Sequence, residues 1–244
     1  MPEIRNVIRK FIHTYPMKRK RIILLLLLAL LGIGGYLSYH ALMDSKEKIL
    51  DNTYYKAELD SIRDIRIGLK KAHAGKKILR ETFIKQITQK IFPYWYGTKW
   101  DFNGTTQMPQ EGSIACGYFV TTTLRDMGVP INRVKMAQCA SEEMIRSLAS
   151  KEHIHYISNT SLSEFEKKIV GYGNGLYIIG LDNHTGFIHI NGNEHHFIHS
   201  TGWFPFKVVK DKISESSVLS KSNYRVVGKI SDDEAFLKKW AGNE

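Results

Sequence analysis

The sequence predicts an α+β domain preceded by one transmembrane helix, on three observations. An 18-residue run without a charge, 22–39, follows four consecutive basic residues, Lys18 to Arg21. After that run, apolar residues recur at helical spacing up to about residue 169. From Gly175 onward the pattern changes to short apolar stretches around an Asn191-Gly192 turn, the mark of antiparallel hairpins. Helices first and a sheet afterwards is the α+β arrangement.

The uncharged run comes first. At 1.5 Å per residue it makes a helix of about 27 Å, close to the thickness of a hydrocarbon core. Tyr36 and Tyr39 lie at its far end, where interfacial aromatics belong, and a basic flank is expected to stay cytoplasmic. The reading is therefore a basic cytoplasmic leader over 1–21, a transmembrane anchor over 22–39, and a domain on the periplasmic or extracellular side from about residue 44. A cleaved signal peptide is the rival. The 21-residue leader and the lack of a clear Ala-x-Ala site speak against it. A buried core helix is the plain alternative, but five consecutive leucines, 24–28, directly behind a basic cluster do not resemble one.

Charge follows the same division. Residues 1–21 carry seven basic side chains and one acidic one, a net +6 of the chain's +11, which leaves +5 for the rest. A mildly basic domain suits acidic surfaces such as cell-wall polymers or lipid head groups. No basic stripe is interleaved with stacking aromatics, so nucleic acid is not an expected partner. The remaining ~200 residues suffice for one domain with a hydrophobic core. The two cysteines, Cys116 and Cys139, make no disulfide framework and no Cys-x-x-Cys zinc pair. A single disulfide between them is open, but it would consume the nucleophile argued below.

Residues 44–75 are polar with scattered apolar positions and read as a helical stalk, broken at His73-Ala74-Gly75. The domain proper is placed at 76–244. Leu79, Phe83, Ile84, Ile87 and Ile91 form a second helical stripe, expected to stop at Pro93. An aromatic loop from Tyr94 to Ser113 leads to a helix over about 116–127, ended by Gly128 and Pro130. Ser141 is a candidate cap for a short helix ending near Ala149, and Ser161-x-x-Glu164 is a capping box. Strands are expected at 176–181, 184–190, 195–201, around Val208 and at 226–230, with a last helix at 234–240.

Cys116 stands at the predicted start of a helix. Free N–H groups and the helix dipole there favour negative charge, which lowers a thiol pKa, and the same N–H groups, Gly117's included, can hold an oxyanion. The plain alternative is a small buried hydrophobe. The hairpin adds the second half. With Asn191 and Gly192 as central turn residues, His184 faces His199, Gly186 faces Phe197 and His189 faces Glu194. Opposed side chains lie about 5 Å apart on one face, so one hairpin presents two imidazoles together. A nucleophilic cysteine needs a general base and that base an orienter; His184 and His199 supply them. The histidine-rich segment also suggests a metal site. No carboxylate or cysteine at ligand spacing and no His-Glu-x-x-His helix supports one, so neither metal nor organic cofactor is expected.

The local contexts resemble the NlpC/P60 cysteine peptidases, a papain-like family of bacterial cell-wall metabolism. The matching stretches are Pro93-Tyr94-Trp95-Tyr96-Gly97-Thr98, Ala115-Cys116-Gly117-Tyr118-Phe119-Val120, His184-Thr185-Gly186-Phe187-Ile188 and Phe197-Ile198-His199, in family order over about residues 90–205. The resemblance implies a papain-like fold with Cys116 as nucleophile, His184 as base and His199 as third polar residue. It also places Tyr94 close to the nucleophile. The expected activity is hydrolysis of amide bonds in peptidoglycan stem peptides. Ala115 and Gly117 depart from the family's Asp before and Ser after the cysteine, and the Cys-to-His interval holds two extra helices. These departures motivate two alternatives: a non-catalytic membrane-bound scaffold, or an acyltransferase or amidase acting on a protein or lipid. A thiol that ionises below the ~8.5 of free cysteine separates enzyme from scaffold.

Overall fold

Strand β2 (Gly175–Leu181) is buried at every position, and its near-continuous apolar sequence follows from being covered on both faces. It belongs to a six-stranded sheet in a computed structural model that describes residues 49–242 together with Leu26, Leu28, Ala29, Gly32 and Ile33. The other strands are β1 (Ile154–Ser158), β3 (Thr185–Asn191), β4 (Glu194–Ser200), β5 (Val208–Lys212) and β6 (Tyr224–Gly228). Their order is β1-β6-β2-β3-β4-β5, and every pairing is antiparallel.

Alternation along the strands sends one set of apolar residues to each face. Leu176, Ile178, Phe187, Ile198 and Val226 meet a helical layer made of α1 (Tyr55–Lys71), α2 (Lys76–Gln86), α3 (Phe92–Trp95), α4 (Cys116–Asp126), α6 (Ser141–Leu148) and α9 (Glu234–Ala241). Tyr177, Ile179, Ile188, Phe197 and Val227 meet α7 (Leu162–Gly171) and α8 (Ser217–Lys221) on the other side. The short α5 (Arg133–Ala137) packs beside α4. The chain is thus α+β, with helices on both faces of an antiparallel sheet.

The expected transmembrane helix is corrected. Among the described residues no helix is long and apolar enough to cross a membrane, so neither the anchor over 22–39 nor the single-pass localisation with an exported domain is supported. All of 1–21 and most of 22–39 lie outside the described residues. The expected stalk belongs to the domain instead. Glu47–Glu244 forms one unit, and α1 is tied into it by Tyr55 Oη donating to Asp126 (2.6 Å) and Arg66 Nε donating to the Trp240 carbonyl (2.7 Å).

Three local expectations change for physical reasons. Pro93 does not stop the second helix. A wider π-helical turn, Ile87–Ile91, resets the hydrogen-bond ladder, and Pro93 then sits at the start of α3, where a missing N–H costs nothing. Ser141 opens α6 as a helical residue; Ala140 precedes it without a side-chain cap. The hairpin turn is shifted by one residue, with Gly192 (φ 59°) and Asn193 central and Asn191 opposite Glu194. His189 therefore faces His196, not Glu194. The Ser161–Glu164 capping box is present, as is the left-handed Gly128 (φ 86°) just past α4.

Candidate active site

The turn shift moves every β3–β4 pair by two residues, which keeps each side chain on its face. Gly186, not His184, now lies opposite His199, and His184 sits diagonally, just ahead of β3 on the tight β2–β3 turn. That geometry needs glycine. A Cβ at Gly186 would come within 2.7 Å of the Ile198 carbonyl and the Phe197 ring and 2.8 Å of His199 Cβ. With the space open, His184 Nε2 lies 2.8 Å from His199 Nδ1. The His199 ring stacks on Phe197, centroids 3.9 Å apart, and Phe197 also meets the His184 ring edge-on at 6.0 Å.

The chain of contacts continues to a residue the sequence reading missed. His199 Nε2 lies 3.1 Å from Asp211 Oδ2 on β5. Asp211 pairs with Phe197 in the ladder, so it shares the face of His199. Sequence gives one faint signal for it, a carboxylate within the otherwise basic Lys210-Asp211-Lys212 of a strand.

Hydrogen-bond direction then fixes both tautomers. A carboxylate only accepts, so His199 must donate from Nε2, which leaves its Nδ1 as an acceptor. His184 must donate to it from Nε2. Nδ1 of His184 is left with the free lone pair. Burial, then the neighbouring His199, pushes the His184 pKa down to about 3, and burial lowers His199 against the opposing pull of Asp211. Both imidazoles are neutral at pH 7, which leaves Nδ1 of His184 able to accept a proton.

Cys116 opens α4 from the other side. The loop ahead of it is held by Ile114 N–H donating to Lys99 (2.9 Å) and Ala115 N–H donating to Gly104 (2.8 Å). Ser200 Oγ, next to His199, donates to the Ile114 carbonyl (2.7 Å) and ties this loop to β4. The backbone N–H groups of Thr185, Gly117 and Cys116 lie near the sulfur and pull its pKa down. Thr185 follows His184 directly, and Cys116 and His184 line the same two cavities at one sheet end. Burial outweighs that pull and raises the thiol pKa, reversing the lowering expected from the helix start.

Gly117 has a structural reason. A Cβ there would collide with the Ala137 carbonyl of α5. The extra helical segment between Cys116 and His184 thus presses directly on Gly117, the residue after Cys116. Two cavities flank the Cys116–His184 pair. The larger, about 770 Å³, is lined by Trp100, Phe102, Tyr118 and Trp203 among others. The smaller, about 360 Å³, is lined by Cys139, Ser141, Glu142, Asp182 and Tyr224 among others. Both cysteines are free thiols.

Of the expected site residues, Cys116, Gly117, His184 and His199 come together. Tyr94 does not: it is 4% exposed, packs tilted against Tyr55 with ring centroids 5.1 Å apart, and lines neither cavity. Burial and the charges of Glu58 and Asp51 raise its pKa. Among the described residues no cluster of His, Cys, Asp and Glu could hold a metal ion. His195, in the histidine-rich segment, bonds Glu166 (2.9 Å) and the Gly192 carbonyl (3.1 Å). No family model, curated protein or solved structure matches this chain.

Proposed function

We propose that the protein is a cysteine hydrolase of amide bonds, with peptidoglycan stem peptides as its substrate class. The observation that carries this reading is the His184–His199–Asp211 relay, 2.8 and 3.1 Å long, which ends in a free imidazole lone pair beside the cavities that Cys116 lines. The substrate class rests on the resemblance of the motifs around Tyr94, Cys116, His184 and His199 to NlpC/P60 peptidases.

The reaction starts from a neutral thiol and a neutral imidazole. Nδ1 of His184 takes the thiol proton as the sulfur attacks the carbonyl carbon, and the C–S bond forms. The oxyanion sits against the N–H groups of Cys116 and Gly117, which turn to it from the sulfur. Asp211 steadies the imidazolium through His199. His184 returns the proton to the amide nitrogen, the C–N bond breaks and the amine leaves. Water, deprotonated by His184, then cleaves the thioester and restores the thiol. No cofactor enters this cycle.

The raised thiol pKa favours a second reading, a binding module that keeps the site without chemistry. One experiment separates them. Wild-type protein and Cys116→Ala are incubated with peptidoglycan, and released fragments are identified by mass spectrometry. Defined peptides from wild type alone support the hydrolase. No peptides, together with a thiol inert to an alkylating probe, supports the binding module. No peptides but a fast-reacting thiol retains the hydrolase and moves the substrate class.

A further inference from the structure

The two cavities beside Cys116 differ in charge. The larger is lined by no Asp, Glu, Lys or Arg, whereas Glu142 and Asp182 line the smaller. Four aromatic rings converge on the larger cavity from three loops or helix ends. Two of them stay in water: Phe102 is 79% exposed and Trp203 is 56% exposed. Large rings left exposed around a concavity mark a binding surface. Two rings are braced by cations, Lys221 Nζ 4.1 Å over Trp203 and the Arg133 guanidinium 4.7 Å over Tyr118. A ring has two faces, so the braced rings each keep one for a ligand.

Besides Thr105, Cys116 and His184, the polar side chains of the lining are three neutral amides. Asn103 and Asn183 line the cavity, and their side chains make no hydrogen bond among the described residues. The Gln138 amide nitrogen donates to Tyr118 Oη (3.2 Å), which leaves its carbonyl oxygen free. An amide both donates and accepts, so these groups suit a ligand dense in hydroxyls. A carboxylate or phosphate would find no cation among the lining residues. A fatty acyl chain would strip water from three amides and return no hydrogen bond. A neutral pyranose satisfies both sets. Its C–H faces lie on aromatic rings, and its hydroxyls exchange hydrogen bonds with amides.

We propose that the larger cavity is a carbohydrate subsite, so that the amide cleaved at Cys116 belongs to a substrate carrying a neutral glycan. The proposal rests on the hydrolase reading for the reaction but not for the binding. The sugar lies across Trp100 and Trp203 with Phe102 at the rim, and Asn103, Asn183 and Gln138 read its hydroxyls.

The test measures binding without turnover. Full-length Cys116→Ala protein is titrated with chitotetraose by calorimetry, with octyl-chain detergent below its micelle concentration and a proline-rich peptide as competitors for the same aromatic surface. Saturable chitotetraose binding is expected, weakened about tenfold by adding Trp203→Ala and less by Phe102→Ala. Trp203→Phe, which keeps a ring, should restore most of the affinity and so excludes misfolding as the cause. No chitotetraose binding, binding indifferent to Trp203→Ala, or preference for detergent or peptide overturns the subsite. Sugar binding without peptide release by wild type would leave the subsite standing and remove the hydrolase. Peptide release without sugar binding would do the reverse.

Discussion

The proposed nucleophile, Cys116, and its proposed base, His184, are held by different means. Cys116 is placed mainly by backbone: a helix start and two loop amides, the loop tied by one serine hydroxyl, with no side-chain partner of its own among the described residues. His184 is placed by side chains, through His199 to Asp211. Backbone placement tolerates changes in side chains nearby. A relay of side chains fixes proton positions as well as atoms, and it fails when any member changes its donor pattern. The two halves should therefore respond unequally to substitution.

Asp211→Asn is expected to have the largest effect. The asparagine amide can donate to His199 Nε2, which moves the His199 proton to Nδ1. His199 then donates to His184, and the proton of His184 moves to Nδ1, where the thiol proton should go. A wrong tautomer in a Ser-His-Asp triad costs about 10⁴-fold in kcat, and a loss of that order is expected here. Nitrogen shifts of ¹⁵N-histidine report the tautomers directly. Two Nε2–H imidazoles in wild type and Nδ1–H imidazoles in the variant fit the relay; unchanged tautomers with unchanged rate would break it.

Gly186→Ala tests the space on which the relay depends. The new methyl overlaps the Ile198 carbonyl, Phe197 and His199 Cβ, so about 1–3 kcal/mol of stability should be lost by overpacking. Urea unfolding measures it, and a fall in rate should accompany it because His199 has to move. The pH dependence of stability has a definite sign. His184 and His189 are pushed down to about 3 and about 4 from 6.5, chiefly by burial. Between pH 6.5 and 4 the unfolded chain binds more protons than the folded one, so stability is full above 6.5 and falls as pH drops through this window. His189→Gln should lessen the loss between pH 7 and 4 by on the order of 2 kcal/mol. Parallel pH curves for wild type and variant would contradict the shift at His189.

Local signals in the sequence located what depends on local chemistry. The start of α4 at Cys116, its end at Gly128, the capping box at Ser161 and the histidine hairpin are all set by residues within a few positions. Long-range packing was not legible. The edge strand β1 is half exposed and carries little apolar pattern, and only pairing with β6 makes it a strand. Asp211 became visible only when β5 fell beside β4 in a register that no turn residue announces. The hairpin register was off by two residues because Asn-Gly has two ways to sit in a tight turn. The even slip left His184 and His199 on the same face, and the expected pair survived it.

Tyr94→Phe carries the smallest expected effect and bears on the backbone-held half. The motif resemblance brings Tyr94 close to the nucleophile, yet its ring packs on Tyr55 and lines neither cavity. The N–H groups of Cys116 and Gly117 lie near the sulfur, so an oxyanion formed there would have donors without a phenol. Removing one hydroxyl away from the cavities should change kcat/KM less than about twofold and stability by less than about 0.5 kcal/mol. A loss near the 10²- to 10³-fold typical of a missing oxyanion donor would mean that substrate draws α3 toward α4. Cys116 would then be served by a side chain after all, and the contrast between the two halves would hold only for the empty site.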